Sequence, residues 1–412
     1  MNTGTNADAN ADSSRDPAPG RTSVGEIALL FLKLGTTAFG GPAAHIAMME
    51  DEVVRRRRWL TSEEFLDYIG ATNLIPGPNS TELAIHIGFA RAGWPGLVAA
   101  GSCFILPAAL IVTAMAWAYV RYGALPAATA LLYGVKPVVI AVVMQALWRL
   151  AKTALRSREL VLLGVAAVLA VALGVNELLV LFASGVVTAG ARGVRERRAR
   201  GEAAGDPGGL SGLLAFLHER IAAPHAALGA AVAGTASFGL WPLFGVFVKI
   251  GSVLFGSGYV LLAFLRADLV ERLHWLTERQ LLDAVAVGQI TPGPVFTTAT
   301  FIGYLLGGRG GAAVATAGIF LPAFVFVALS GAVLPWLRRS PAARAVLDGV
   351  NVASLALMVV VTWQLARAAL IDPLTWSIAL VGAVVLLHTR VSSAWVVLGG
   401  GVIGLAATML HV

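Results

Sequence analysis

Charge is scarce in this chain. Of its 412 residues only 13% are Asp, Glu, Lys or Arg, whereas 57% are hydrophobic. A water-soluble domain carries about 25% charged residues, so lipid must cover much of this surface. Cysteine is nearly absent. The single Cys103, inside an apolar stretch, excludes an intrachain disulfide and a thiolate metal cluster. His-Glu-x-x-His and Gly-x-Ser-x-Gly are missing, and no acidic residues cluster as metal ligands. No cofactor, metal or catalytic residue is therefore expected, and a membrane-embedded enzyme acting on a lipid phosphate is the weaker reading. Residues 1–23 are rich in Asn, Asp, Ser, Pro and Gly. They lack the basic start, apolar run and cleavage site of a signal peptide and read as a disordered tail.

What the chain has in abundance is long apolar runs. Residues 97–120, 126–148, 159–175, 177–191, 312–337, 350–371, 374–387 and 392–410 are each nearly charge-free. Most approach the roughly 20 residues that span a hydrocarbon core. The net charge of +7 does not point to nucleic acid, because the cations cluster at the ends of these runs, the usual topogenic pattern. The expected class is an all-α polytopic membrane protein whose partner is the lipid bilayer.

The chain repeats itself. Residues 33–78 align without gaps on 249–294 with fifteen identities. Lys33-x-Gly35-x-x-x-Phe39-Gly40 meets Lys249-x-Gly251-x-x-x-Phe255-Gly256, Trp59-Leu60-Thr61 meets Trp275-Leu276-Thr277, and Pro76-Gly77-Pro78 meets Pro292-Gly293-Pro294. After a one-residue slip, Leu106-Pro107 aligns with Leu321-Pro322 and Trp148 with Trp363. The expected organisation is a first repeat over 24–192, a polar linker over 193–239 and a second repeat over 240–412. Internal duplication of this kind marks secondary transporters.

Each half opens with a glycine-broken apolar segment, 26–49 and 242–265. Two short helical patterns then flank each Pro-Gly-Pro, over 61–74 and 79–92 and over 277–290 and 295–307. About 14 residues reach only some 21 Å, and proline on both sides of glycine stops one helix from running through. Each pair is therefore expected to form a re-entrant hairpin. That geometry gathers Arg55–Arg58, Arg91, Arg149, Lys152, Arg156 and Arg158 on one face, the cytoplasmic one. Five crossings per half follow, so the second half enters inverted.

Opposed hairpins would bring the tips Pro76-Gly77-Pro78 and Pro292-Gly293-Pro294 together near the midplane, where irregular backbone must be buried or face a cavity. Free amides around Asn79, Ser80 and Thr81, and around Thr297 and Thr298, would then form an anion site. The two helix ends together supply about one positive charge. A doubly charged guest needs more, which singles out Lys33 and Lys249, with Lys136 a weaker candidate; snorkelling to the interface is the bland reading of the lysines. Gly40, Gly41, Gly256 and Gly258 would let the broken segments unwind or pack closely. Glu82, one turn past the first tip, is a candidate to carry a coupling proton or simply to cap its helix.

These motifs resemble those of the chromate ion transporter family in its long, two-domain form. The resemblance rests on Phe39-Gly40-Gly41-Pro42 followed by His45, on Trp59-Leu60-Thr61, and on Asn73-x-x-Pro76-Gly77-Pro78. It is echoed by Phe255-Gly256-Ser257-Gly258 and Gln289-x-Thr291-Pro292-Gly293-Pro294. It covers residues 24–412 apart from the linker. The resemblance implies efflux of chromate, with sulfate as an analogue, across a bacterial inner membrane, and opposite orientations of the two domains. One domain rocking against the other would expose the tips alternately. A passive anion channel is the nearest rival, and a homodimer is an assembly compatible with this architecture.

Overall fold

The computed structural model describes residues 22–39, 41–123, 125–199, 238–255, 258–389 and 391–410. Gly40, Gly256 and most of the linker fall outside the described residues. The first half comprises α1 (Val24–Thr37), α2 (Pro42–Glu50), α3 (Ser62–Thr72), α4 (Asn79–Tyr122), α5 (Pro126–Ala154), α6 (Arg158–Ala172) and α7 (Glu177–Ala199). The second repeats the series as α8 (Leu240–Val253), α9 (Leu261–Leu265), α10 (Glu278–Ile290), α11 (Thr298–Arg339), α12 (Pro341–Ala369), α13 (Pro373–His388) and α14 (Ser393–Leu410). Among the described residues there is no strand.

Local chemistry fixes where these helices begin. Thr61 and Thr277, the last residues of the repeated Trp-Leu-Thr, each close a capping box, with Glu64 and Gln280 respectively. Pro126, Pro341 and Pro373 occupy first-turn positions, where proline's missing N–H costs nothing. Among the described residues, five helices are long and apolar enough to cross a membrane, and three shorter ones are apolar. Leu162, Val165 and Leu169 on α6, and Leu380, Val381, Val384 and Leu387 on α13, are exposed at helical spacing. Such continuous apolar faces on a folded chain require lipid rather than water. The protein is a polytopic all-α membrane protein.

The expected short arm after each tip is present, although it runs into the next helix by a sharp reversal. In α4 the chain leaves helical geometry at Ala92 and at Gly93, whose φ is 62°; in α11 it does so at Gly307 and at Gly308, φ 59°. The reversal brings Gly88 against Gly96 and Gly303 against Gly311, so close that a Cβ on any of the four would collide with facing backbone. Thr300 and Thr316 hydrogen-bond across the second reversal at 2.7 Å.

The two halves interlock. α5 of the first half packs between α13 and α14 of the second, and α12 of the second packs on α6 and α7 of the first. Gly134 meets the backbone of Gly400, and at the equivalent position Gly349 meets Ser184. Rocking of one sequence half against the other does not fit this arrangement, because it would strip each half's last two helices from their packing partner. Between the halves, Lys136 of α5 forms a 2.9 Å ion pair with Asp283 of α10. The Tyr119 hydroxyl of α4 donates to the same carboxylate at 2.8 Å. The Tyr133 hydroxyl of α5 donates to Asp372, the cap of α13, at 2.6 Å.

Candidate functional site

Each Pro-Gly-Pro tip docks on the other half's broken segment through one of a reciprocal pair of backbone hydrogen bonds. Gly77 N–H donates to Leu254 O at 2.8 Å, and Gly293 N–H donates to Ala38 O at 2.9 Å. Ala38 and Leu254 are equivalent residues just past α1 and α8, so each broken segment receives the other half's tip. Contacts exchanged in this way are the signature of a local twofold axis. Both tip glycines need positive φ, 139° at Gly77 and 85° at Gly293.

Between the tips lies a pocket of about 140 Å³ lined by Pro42, Ile46, Pro78, Asn79, Ser80, Gly258, Pro294, Val295 and Phe296. The amides of Asn79 and Ser80 on one side, and of Val295 and Phe296 on the other, are the first of their turns. They have no intrahelical acceptor by construction. No charged side chain is among the described lining residues, so the two helix starts supply the positive field there, about one unit in all. A wider cavity of about 500 Å³ shares Pro42 with this pocket and is rimmed by Gln145, Arg149, Thr153 and Ser392.

The expected residues divide into those at the pocket and those elsewhere. Pro78, Asn79, Ser80 and Pro294 line it, and Pro76, Gly77, Pro292 and Gly293 form the turns behind it. Gly41 starts α2 with φ 79°. The Asn79 side-chain amide donates to Asn73 Oδ1 at 2.8 Å, which ties the second arm to the end of the first. Thr81 and Glu82 are fully buried; neither the Thr81 hydroxyl nor either Glu82 oxygen has a hydrogen-bond partner among the described residues. Glu82 lies against Gly77. The Thr297 and Thr298 hydroxyls donate back to Pro294 O and Val295 O, at 2.8 and 2.9 Å. They stabilise the turn rather than reach the pocket.

Lys33 and Lys249 also stand apart from it. Lys33 Nζ pairs with Glu52 at 2.7 Å, and Lys249 Nζ with Asp268 at 2.8 Å. Glu52 also holds Arg57, and Asp268 also holds Arg272. The Lys33 ammonium, as hydrogen-bond donor, keeps the Glu52 carboxyl below its ordinary value, with Arg57 assisting against partial burial. The cause is geometric: the acids follow the lysines by 19 residues in both halves, and the turn after the broken segment folds them back onto α1 and α8. Lys136 is likewise committed, to Asp283. His86 is stacked on Tyr68, with ring centroids 5.5 Å apart.

A further polar residue, on α2, reaches the start of the second hairpin arm. His45 is buried, with its ring edge-on to Phe104; Nε2 lies 3.1 Å from Ala38 O and Nδ1 lies 3.3 Å from Ser80 Oγ. The signal for it was asymmetry, since the equivalent residue of the second half is Leu261.

Comparison with known proteins gives one consistent picture. A family model described as chromate transporter matches twice, over residues 25–189 and 241–405. A chromate transport protein of Cupriavidus metallidurans is 33% identical over the full length of both chains. A chromate transport protein of Pseudomonas aeruginosa is 33% identical over 84% of this chain and 82% of its own. A probable chromate transport protein of Synechococcus elongatus is 32% identical over 81% of this chain and 82% of its own. No solved structure matches.

Proposed function

The chain belongs to the chromate transporter family, and on that premise we propose that it exports chromate through the pocket between its two tips. The observation that carries this reading is the reciprocal docking of Gly77 and Gly293, which encloses free helix-start amides on both sides of one small cavity. Oriented amides in a water-poor site bind an oxyanion without reorganising. The inverted arrangement of the halves across a bacterial inner membrane is part of the same proposal, supported by the arginine distribution and by the local twofold. A membrane potential of about 100 mV, negative inside, is worth about 2.3 kcal/mol for each charge that leaves. Glu82 is the candidate for any proton that moves with the protein itself.

A pocket of only about 140 Å³, too small to be a wide aqueous pore, favours a carrier over a channel. Purified protein in liposomes is expected to show saturable chromate uptake and counterflow. An ohmic chromate current without counterflow would establish the channel instead. Sulfate, another tetrahedral oxyanion, belongs in the same assay as competitor.

Two expected results follow from the placement of the cations. The double variant Lys33→Met/Lys249→Met is expected to keep chromate transport within about threefold of the parent, because neither lysine lines the pocket and Arg57 and Arg272 remain to balance the buried Glu52 and Asp268 carboxylates. Loss of transport in correctly inserted protein would return the lysines to the anion path. Arg149, at the rim of the wide cavity, provides electrostatic attraction rather than contact. Arg149→Ala is expected to raise the KM for chromate about threefold to tenfold at low salt, with the difference shrinking as ionic strength rises.

A further inference from the structure

The polarity of the hydrogen bonds around Ser80 restricts which form of the oxyanion the pocket can hold. A backbone carbonyl only accepts, so His45 Nε2 must carry the hydrogen shared with Ala38 O. His45 is buried, and its contacts are Ala38 O, the Ser80 hydroxyl and the Phe104 ring edge; no carboxylate pairs with it among the described residues. A buried charge without a counter-ion is costly, so the ring is neutral and Nδ1 is an acceptor. The hydrogen on Ser80 Oγ is then taken up by Nδ1. Ser80 lines the pocket and has only oxygen lone pairs left to offer it.

That arrangement opposes a fully ionised oxyanion, whose oxygens would face another oxygen's lone pairs. It suits an anion carrying a hydroxyl of its own. The pocket's charge argues the same way: two helix starts supply about one positive unit, and the lysines that would have added more are held by Glu52 and Asp268. Chromate is the conjugate base of a weak acid and is partly protonated near neutral pH. Sulfate and selenate derive from strong acids and are not.

We infer that the pocket binds the singly protonated oxyanion, hydrogen chromate, whose hydroxyl donates to Ser80 Oγ, with His45 acting as the positioning residue that keeps Ser80 in that accepting role. This rests on the transport reading above and sharpens it. Ser80 thereby separates chromate from sulfate, two anions of the same shape. Ala38 O also accepts from Gly293 N–H, so the residue that orients Ser80 is anchored at the point where the second tip docks.

The test compares three tetrahedral anions at one mildly acidic pH, using the full chain in liposomes. Chromate is partly protonated there, selenate is a bare dianion, and perrhenate is a bare monoanion. The parent is expected to prefer chromate over both others by at least tenfold in kcat/KM. Ser80→Ala is expected to raise the chromate KM about tenfold, the worth of one hydrogen bond to a charged group, and to leave perrhenate unchanged. His45→Asn retains an acceptor near the Nδ1 position and is expected to keep the parent's preference. His45→Gln retains only a donor near the Nε2 position, frees Ser80's hydrogen and is expected to shift preference towards perrhenate and selenate. Selenate transported as well as chromate by the parent would overturn the inference, as would a Ser80→Ala protein with an unchanged chromate-to-perrhenate ratio. Failure of the parent to move any of the three anions would overturn the transport reading itself, a different result.

Discussion

Replacing Lys136 by methionine is expected to cost about 3–5 kcal/mol of stability, the usual consequence of leaving one partner of a buried ion pair alone. Asp283 is fully buried, and Lys136 is its only cationic neighbour within ion-pair distance among the described residues. The pair also bridges the halves, since Lys136 lies on α5 and Asp283 on the first arm of the second hairpin. Tyr119 adds a neutral hydrogen bond to the same carboxylate but cannot balance its charge. The second variant, Lys136→Met/Asp283→Asn, removes both charges and leaves the Tyr119 hydroxyl an amide oxygen to donate to. It is expected to recover most of the loss. Denaturation of purified protein in mixed micelles would give the cycle. A coupling energy below about 1 kcal/mol would show that the pair is not the bridge described here.

Gly293→Ala is expected to lower chromate transport by between about thirtyfold and about four-thousandfold while the protein still inserts. An added Cβ would lie 2.7 Å from the Ala108 Cβ and 3.1 Å from Gly35 O, at a φ of 85°. Left-handed backbone costs alanine about 1–2 kcal/mol, and overpacking adds about 1–3 kcal/mol. The tip relieves this strain by withdrawing from α1, which breaks the bond to Ala38 O and misplaces the Val295 and Phe296 amides. At about 1.4 kcal/mol per decade, the stated range follows. Gly245→Ala is the control, because its Cβ would meet nothing within 4 Å on a regular helix. Equal transport by the two variants would mean that tip docking is not part of the transport cycle.

The interlocking of the halves bears on how any alternation proceeds. A moving unit must contain helices from both halves, since α5 travels with α13 and α14, and α12 with α6 and α7. The close glycine contacts at Gly134 and Gly349 leave those interfaces little room to slide. The docked tips, by contrast, are held by two backbone hydrogen bonds, one to each broken segment.

Much of this was legible along the chain. The length and purity of the apolar runs fix a membrane protein, because the bilayer demands them segment by segment. The repeated Pro-Gly-Pro and Trp-Leu-Thr signals locate both hairpins, because proline geometry and helix capping act over a few residues. The destinations of the lysines were not legible. Lys33 sits near Glu52 in sequence, yet a lysine inside an apolar run reads equally as an anion ligand; only the turn between them decides. The commitment of Ser80's hydrogen to His45, the pairing of Lys136 with Asp283, and the crossing of α5 into the other half's helices join residues that are far apart along the chain. Such contacts depend on helix packing and side-chain direction in three dimensions. Periodicity and composition carry no record of either.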